Sequence, residues 1–254
     1  MMKKLITTLC VIWLSFGLTA AQDNNTQGAE GLGDSYFPQL GNGGYDAEHY
    51  TIDLKWDDIT NQLDGSVTVL AKAYNDLRRF NLDFEGFTIN SLLVDGKDAK
   101  YMRDGRELQI TPASMLKQDE TFETVVTYSG VPGDGVTDYY DVFARGWMRY
   151  PNGVYVASEP DGAAYWYPVN DHPLDKATYT FKITVPDAYQ VAANGQLQDV
   201  VDNPDPTTTY TWETRDDTAS YLVTVNIGKY TVEKSVGPHD YPSGITFRLT
   251  KPTV

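Results

Sequence analysis

The chain has 254 residues and a formal net charge of −15 at pH 7, with 35 acidic against 20 basic side chains. That excess of acid argues against a nucleic-acid partner, because phosphate backbones attract Lys and Arg, and it fits a soluble exported protein. Glycine, proline and tyrosine are plentiful and long Ala/Leu/Glu/Lys runs are missing, which favours strands over helices in a length that suits one large domain or two small ones.

Residues 1–21 read as a signal peptide. Met1-Met2-Lys3-Lys4 is a basic start, Leu5 to Leu18 an apolar core, and Thr19-Ala20-Ala21 a set of small residues before cleavage at Gln22. The apolar run is short for a bilayer span and no stop-transfer pattern follows, so no stable membrane span is expected and the mature chain is placed in the periplasm or outside the cell. Cleavage would remove Lys3, Lys4 and no acid, taking the charge from −15 to −17. The single cysteine, Cys10, lies inside this segment, so the mature chain has neither disulfide nor thiol chemistry.

Residues 22–44 are polar and Gly-rich, the composition of a flexible lead-in. From residue 45 the texture is that of β-structure. Tyr50, Ile52, Leu54 and Trp56 alternate with polar residues, the period of a half-buried strand. Val67 to Ala73, Phe80 to Phe84 and Phe122 to Tyr128 repeat the pattern, and Asp95-Gly96 and Asp104-Gly105 mark hairpins. Val131 to Arg149 has no clear period. Order returns with Tyr179, Phe181, Ile183 and Val185, which Pro186 ends. Asn194-Gly195 reads as a further hairpin, followed by strands over 207–214, 221–227 and 245–249. Short strands with regular turn signals predict an antiparallel sandwich or an open, barrel-like sheet.

Self-contained chemistry is hard to assemble from these residues. His49, His172 and His239 have no histidine four residues on, which excludes the helical two-His zinc motif, and no thiolate is available as a ligand. Neither a nucleophile elbow nor a phosphate loop occurs. Asp57, Asp58, Asn61 and Asp64 miss the spacing of a calcium loop and read as a solvated turn. Asp134, Asp138 and Asp141 are the remaining acidic candidates, and exposure explains them more simply than a cation does. No catalytic residue and no metal ligand is therefore assigned to this chain.

The segment from Ser158 to Pro173, SEPDGAAYWYPVNDHP, is too broken by Pro and Gly for a helix and too aromatic for an idle loop. Glu159, then Pro168 nine residues on, then Asp171-His172-Pro173 and Lys176-Ala177-Thr178-Tyr179 resemble the signature stretch in the N-terminal domain of M1-family zinc aminopeptidases. Tyr36-Phe37-Pro38, Gly41 to Asp46, His49-Tyr50 and Val191 to Gly195 resemble further pieces of that domain, in order, so the resemblance spans nearly all of the mature sequence.

This resemblance implies an all-β fold: a saddle-shaped, antiparallel, β-sandwich-like domain over 45–254. It implies that the domain packs on its own downstream catalytic domain, which carries the zinc and a Glu general base that activates water. The H-E-x-x-H and G-x-M-E-N motifs of that second domain do not occur here, and Val254 falls about where it would begin. No cofactor is expected in this chain itself, with Zn in the catalytic part. A Glu at the position of Glu159 is implied to bind the free N-terminus of peptides, a compact cation that a preoriented carboxylate holds by charge-assisted hydrogen bonds. The Glu159–Pro160 bond is a candidate for cis. Many members carry a Gln two residues earlier, where this sequence has Ala157. Asp171 is expected to accept backbone N–H bonds in a turn, and Tyr165, Trp166 and Tyr167 to pack. The competing reading is a secreted, non-catalytic β-sandwich module that binds sugar or protein through Trp147, Tyr150, Tyr165 and Trp166.

Overall fold

The computed structural model describes residues 26–133, 145–236 and 242–249. The expected signal peptide over 1–21, the acidic trio Asp134, Asp138 and Asp141, and His239 lie outside the described residues.

The strands in chain order are β1 (Tyr45–Trp56), β2 (Leu63–Ala73), β3 (Phe80–Asp83), β4 (Thr88–Val94), β5 (Lys97–Asp98) and β6 (Lys100–Asp104). They continue with β7 (Glu107–Thr111), β8 (Thr121–Gly130), β9 (Gly146–Tyr150), β10 (Gly153–Ala157), β11 (Lys176–Pro186) and β12 (Gln190–Ala193). The last are β13 (Gln196–Asp202), β14 (Thr207–Ala219), β15 (Val225–Gly228), β16 (Tyr230–Val236) and β17 (Pro242–Leu249). Among the described residues there is no α-helix, only short 3₁₀ turns at Ala163–Tyr165 and Ser220–Leu222.

The strands form open sheets in the expected all-β, sandwich-like arrangement. An eight-stranded sheet runs β13-β14-β11-β1-β2-β8-β4-β5, a four-stranded sheet β12-β15-β10-β9 and a three-stranded sheet β3-β7-β6, and β16 pairs β17. One pair departs from the antiparallel pattern: β1 runs parallel to β11, His49 to Lys55 against Thr178 to Thr184. His49 and Thr178 are 129 positions apart, ample for the long crossover that parallel pairing needs.

Alternation builds the core. Ile52, Leu54, Val67, Val126, Tyr179, Phe181 and Ile183 all point inward from neighbouring strands and are fully buried. In β1 the buried set is Tyr45 and Ala47, then Tyr50, Ile52, Leu54 and Trp56. The parity changes because a bulge shifts the register against β2 between Ala47 and His49.

Three sequence expectations are corrected. Asn194-Gly195 does not close a hairpin: β12 pairs with β15, whereas β13 pairs with β14, so this turn hands the chain from the small sheet to the large one. Gly195 is needed there for close approach, since a Cβ would sit 2.0 Å from the Glu213 carbonyl oxygen. The strand expected over 221–227 begins only at Val225, after the 3₁₀ turn. The aperiodic stretch before Tyr150 ends in a strand, β9, which pairs with β10 across Pro151 and Asn152.

Where composition predicts a flexible lead-in, residues 26–44 are tied to the domain. Thr26 O accepts from Arg78 N, Gly28 N donates to Arg79 O, and Gly31 N donates to Gly41 O. Asn42 donates its N–H to the Asn170 side chain, which donates back to the Asn42 carbonyl. Apart from the Gly31–Gly41 bond within the lead-in, these partners lie far along the chain, beyond the reach of local composition.

Candidate functional site

β10 ends at Ala157, and the chain enters the segment from Ser158 to Asp175. Val154 and Val156 are buried while Tyr155 and Ala157 face solvent, and the alternation carries on through buried Ser158 to exposed Glu159. The Glu159–Pro160 peptide bond is cis. From Asp161 to His172 every residue is buried, an unusual state for a loop. Buried backbone needs partners, and the loop has them. Val169 and Asp83 exchange N–H···O bonds, Glu85 N donates to Ala164 O, the Tyr128 hydroxyl donates to Trp166 O at 2.6 Å, and Asn170 N donates to the Tyr50 hydroxyl.

The aromatic run supplies the packing. Tyr167 meets the Tyr50 ring edge-on, Tyr50 stacks on Tyr179 at 5.1 Å, and Trp166 lies 6.0 Å from Trp147. Trp147, Tyr165 and Trp166 are 1%, 6% and 0% exposed. Three of the four aromatic side chains that a sugar-binding face would use therefore belong to the core.

An ionic cluster binds the loop to the sheets. Arg106, in the β6–β7 turn, reaches Asp83 at 3.2 Å, Asp161 at 2.7 Å and Asp171 at 2.8 Å. Arg145, just before β9, reaches the other Asp161 oxygen at 2.7 Å. Asp171 also accepts the N–H groups of Gly162 and Ala164 and the Ser220 hydroxyl, so it closes the turn as expected and does more. Its own N–H donates to Asp83.

Three carboxylates thus share two guanidiniums. Burial pushes the Asp83 carboxyl up to about 7 despite the opposing pull of Arg106. Burial also raises Asp161, but the hydrogen bonds and charges of Arg106 and Arg145 outweigh it and hold that carboxyl below the usual range. Burial would lower Arg106, yet the carboxylates around it hold it above the ordinary arginine value. Arg106 gave no signal in the sequence, where it looks like an ordinary residue after an Asp-Gly turn.

Beside this cluster, Asp175 accepts from Ala47 N at 3.2 Å and from the Asn170 amide, and burial pushes it up to about 7. The folded state then holds a proton on Asp175 at pH values where the unfolded chain has lost it. Stability from this carboxyl is fully present below the ordinary aspartate range, near pH 4, declines above it, and is gone once pH has risen through about 7. Asp175 and Asp83, both pushed up to about 7, each add to a fall in urea stability between pH 5 and pH 8, and Asp175→Asn is expected to remove Asp175's share, roughly 2 kcal/mol, leaving that of Asp83. An unchanged pH slope in that variant would contradict the assignment.

The two described histidines, His49 and His172, are occupied structurally. His49 bonds Thr178 and Thr180 through its two ring nitrogens. His172 Nδ1 accepts from Leu174 N, which leaves the proton on Nε2, 3.4 Å from Asp34. Asp57 accepts the N–H groups of Ile59 and Thr60, the expected solvated turn. Among the described residues no group of three or more His, Cys, Asp or Glu side chains is placed to hold a metal ion, and no helix is long and apolar enough to cross a membrane.

Residues 46–222 match the Peptidase M1 N-terminal domain. Among solved structures, the chain is similar to an M1 zinc metallopeptidase from Deinococcus radiodurans, in a mutant form bound to a Tyr-Ser-Ala substrate, with 28% identity and a TM-score of 0.73 over 81% of this chain and 47% of that one. A second structure of an M1 zinc metallopeptidase from Deinococcus radiodurans gives 28% identity and a TM-score of 0.71 over the same shares. A two-domain M1 zinc metallopeptidase mutant bound to L-tryptophan matches at 27% identity and a TM-score of 0.73, over 85% of this chain and 50% of that one. The chain spans about half the length of these structures. With more than half of its residues matched to that domain and its sheets superposing on theirs, the chain belongs to the Peptidase M1 N-terminal domain family.

Proposed function

We propose that this chain serves as the N-terminal domain of an exported, M1-like zinc metalloaminopeptidase, where it forms one wall of the cleft and Glu159 helps bind the free N-terminus of peptide substrates. The observation that carries this reading is the contrast at residues 159–161: an exposed carboxylate sits two residues before a run of twelve, Asp161 to His172, that is buried and bonded in place. A rigidly rooted carboxylate loses little entropy on meeting a cation, which is what selective recognition of an α-ammonium requires. An acylated or internal peptide nitrogen carries no charge and would leave Glu159 unpaired, so the site favours exopeptidase substrates.

Zinc belongs to the catalytic domain in this reading, as the likeness to M1 zinc metallopeptidases suggests. Export rests on the basic, apolar and small-residue run over 1–21.

The test is an assay of the protein that joins this domain to its catalytic domain. It is expected to release the first amino acid from a tripeptide with a free amine, to spare the N-acetylated tripeptide, and to lose activity to a chelator and regain it with zinc. Equal cleavage of both peptides would overturn the recognition role. No cleavage, with tight binding of sugar or protein by this chain alone, would support the non-catalytic module.

A further inference from the structure

Arg106 and Arg145 converge on Asp161, two residues beyond Glu159 and across Pro160. Each guanidinium takes one Asp161 oxygen at 2.7 Å. Arg106 is also engaged by Asp83 and Asp171. Arg145 has Asp161 as its ion-pair partner among the described residues, and its side chain remains one-fifth exposed. Neither arginine pairs with Glu159, the next carboxylate along the chain.

Two guanidiniums bound two residues along the chain from a carboxylate meant for a third, mobile cation pose a problem of competition. An arginine tethered within reach of Glu159 would act as an internal ligand at high effective concentration, and a substrate ammonium would have to displace it. We propose that Asp161 is a positioning residue that saturates Arg106 and Arg145 and so keeps the Glu159 carboxylate free for the substrate's amino group. This rests on the reading of Glu159 given above. It goes beyond it by assigning the neighbouring acid a role that a turn residue alone would not have: Asp161 sets the affinity of the amine site by holding back competing cations.

The test is a double substitution in the protein that carries the catalytic domain. Asp161→Asn keeps the shape of the side chain and leaves Arg106 with Asp83 and Asp171, so Arg145 is the cation it releases. It is expected to raise KM for a free-amine peptide about tenfold with kcat little changed, because a competing internal cation weakens ground-state and transition-state binding alike. Adding Arg145→Met removes the released cation and is expected to bring KM back to within about threefold of wild type.

A purely structural role for Asp161 predicts the opposite. Losing a second anchor of the loop would then leave the double variant as impaired as Asp161→Asn or worse, and that result overturns the proposal. Melting temperatures are read alongside. If Asp161→Asn melts below the assay temperature, the double variant against wild type decides, a KM within threefold supporting the proposal and a larger rise overturning it. Glu159→Ala in the same series separates the two ideas. If it leaves kcat/KM unchanged, the role of Glu159 fails first. If it lowers kcat/KM and Arg145→Met gives no rescue, only the role of Asp161 fails.

Discussion

Replacing Arg106 by Met will cost this domain about 3–5 kcal/mol of folding free energy, the range for removing one partner from a buried ionic cluster. The methionine fills much of the same volume, so the loss reports charge rather than a cavity. Asp83 and Asp171 are 0% and 1% exposed, and both lean on this guanidinium. Asp161 would retain Arg145, but Asp171, the acceptor that closes the turn over Gly162 and Ala164, would be left beside a second buried acid. Urea unfolding at pH 8 reads the effect. It should shrink toward pH 5, because Asp83, pushed up to about 7 by burial, takes a proton there and no longer needs the cation. A loss under about 1 kcal/mol at pH 8 would mean that the loop is held by packing alone.

The second large effect concerns catalysis in the joined protein. Glu159→Ala is expected to lower kcat/KM for peptides with a free N-terminus by about 100-fold, near 3 kcal/mol, the scale of a charge-assisted contact made in a desolvated cleft. Because Glu159 is exposed and lies outside the ionic cluster, the melting temperature should stay within a degree or two of wild type. Glu159→Gln keeps hydrogen-bonding capacity without the charge and should fall between the two. An alanine variant with full activity would remove Glu159 from substrate recognition.

Much of the large sheet was legible in the sequence because its strands have one wet and one dry face. Ile52, Leu54, Phe181 and Ile183 alternate with polar residues and are the side chains that fill the core. What local pattern cannot carry is pairing. The parallel contact between β1 and β11 joins residues 129 positions apart, and nothing at either end announces it. The lead-in shows the same limit. Its composition is that of a linker, yet Asn42 and Asp34 find Asn170 and His172 across the chain. Around the candidate site, the loop and its exposed Glu159 were visible as a spacing pattern, and Asp171 as a turn acceptor. Arg106 was invisible, because its three carboxylate partners come from β3 and from two points of a loop more than fifty residues away.

The central claim is that this domain offers Glu159 to the amino end of a peptide. A crystal structure of the joined protein with a free amino acid in the cleft tests it most directly. The account predicts the Glu159 carboxylate within about 3 Å of the ligand's α-ammonium, with Asp161 still bracketed by Arg106 and Arg145. A ligand ammonium held only by groups of the catalytic domain, with Glu159 turned to solvent or paired to an arginine, would contradict it.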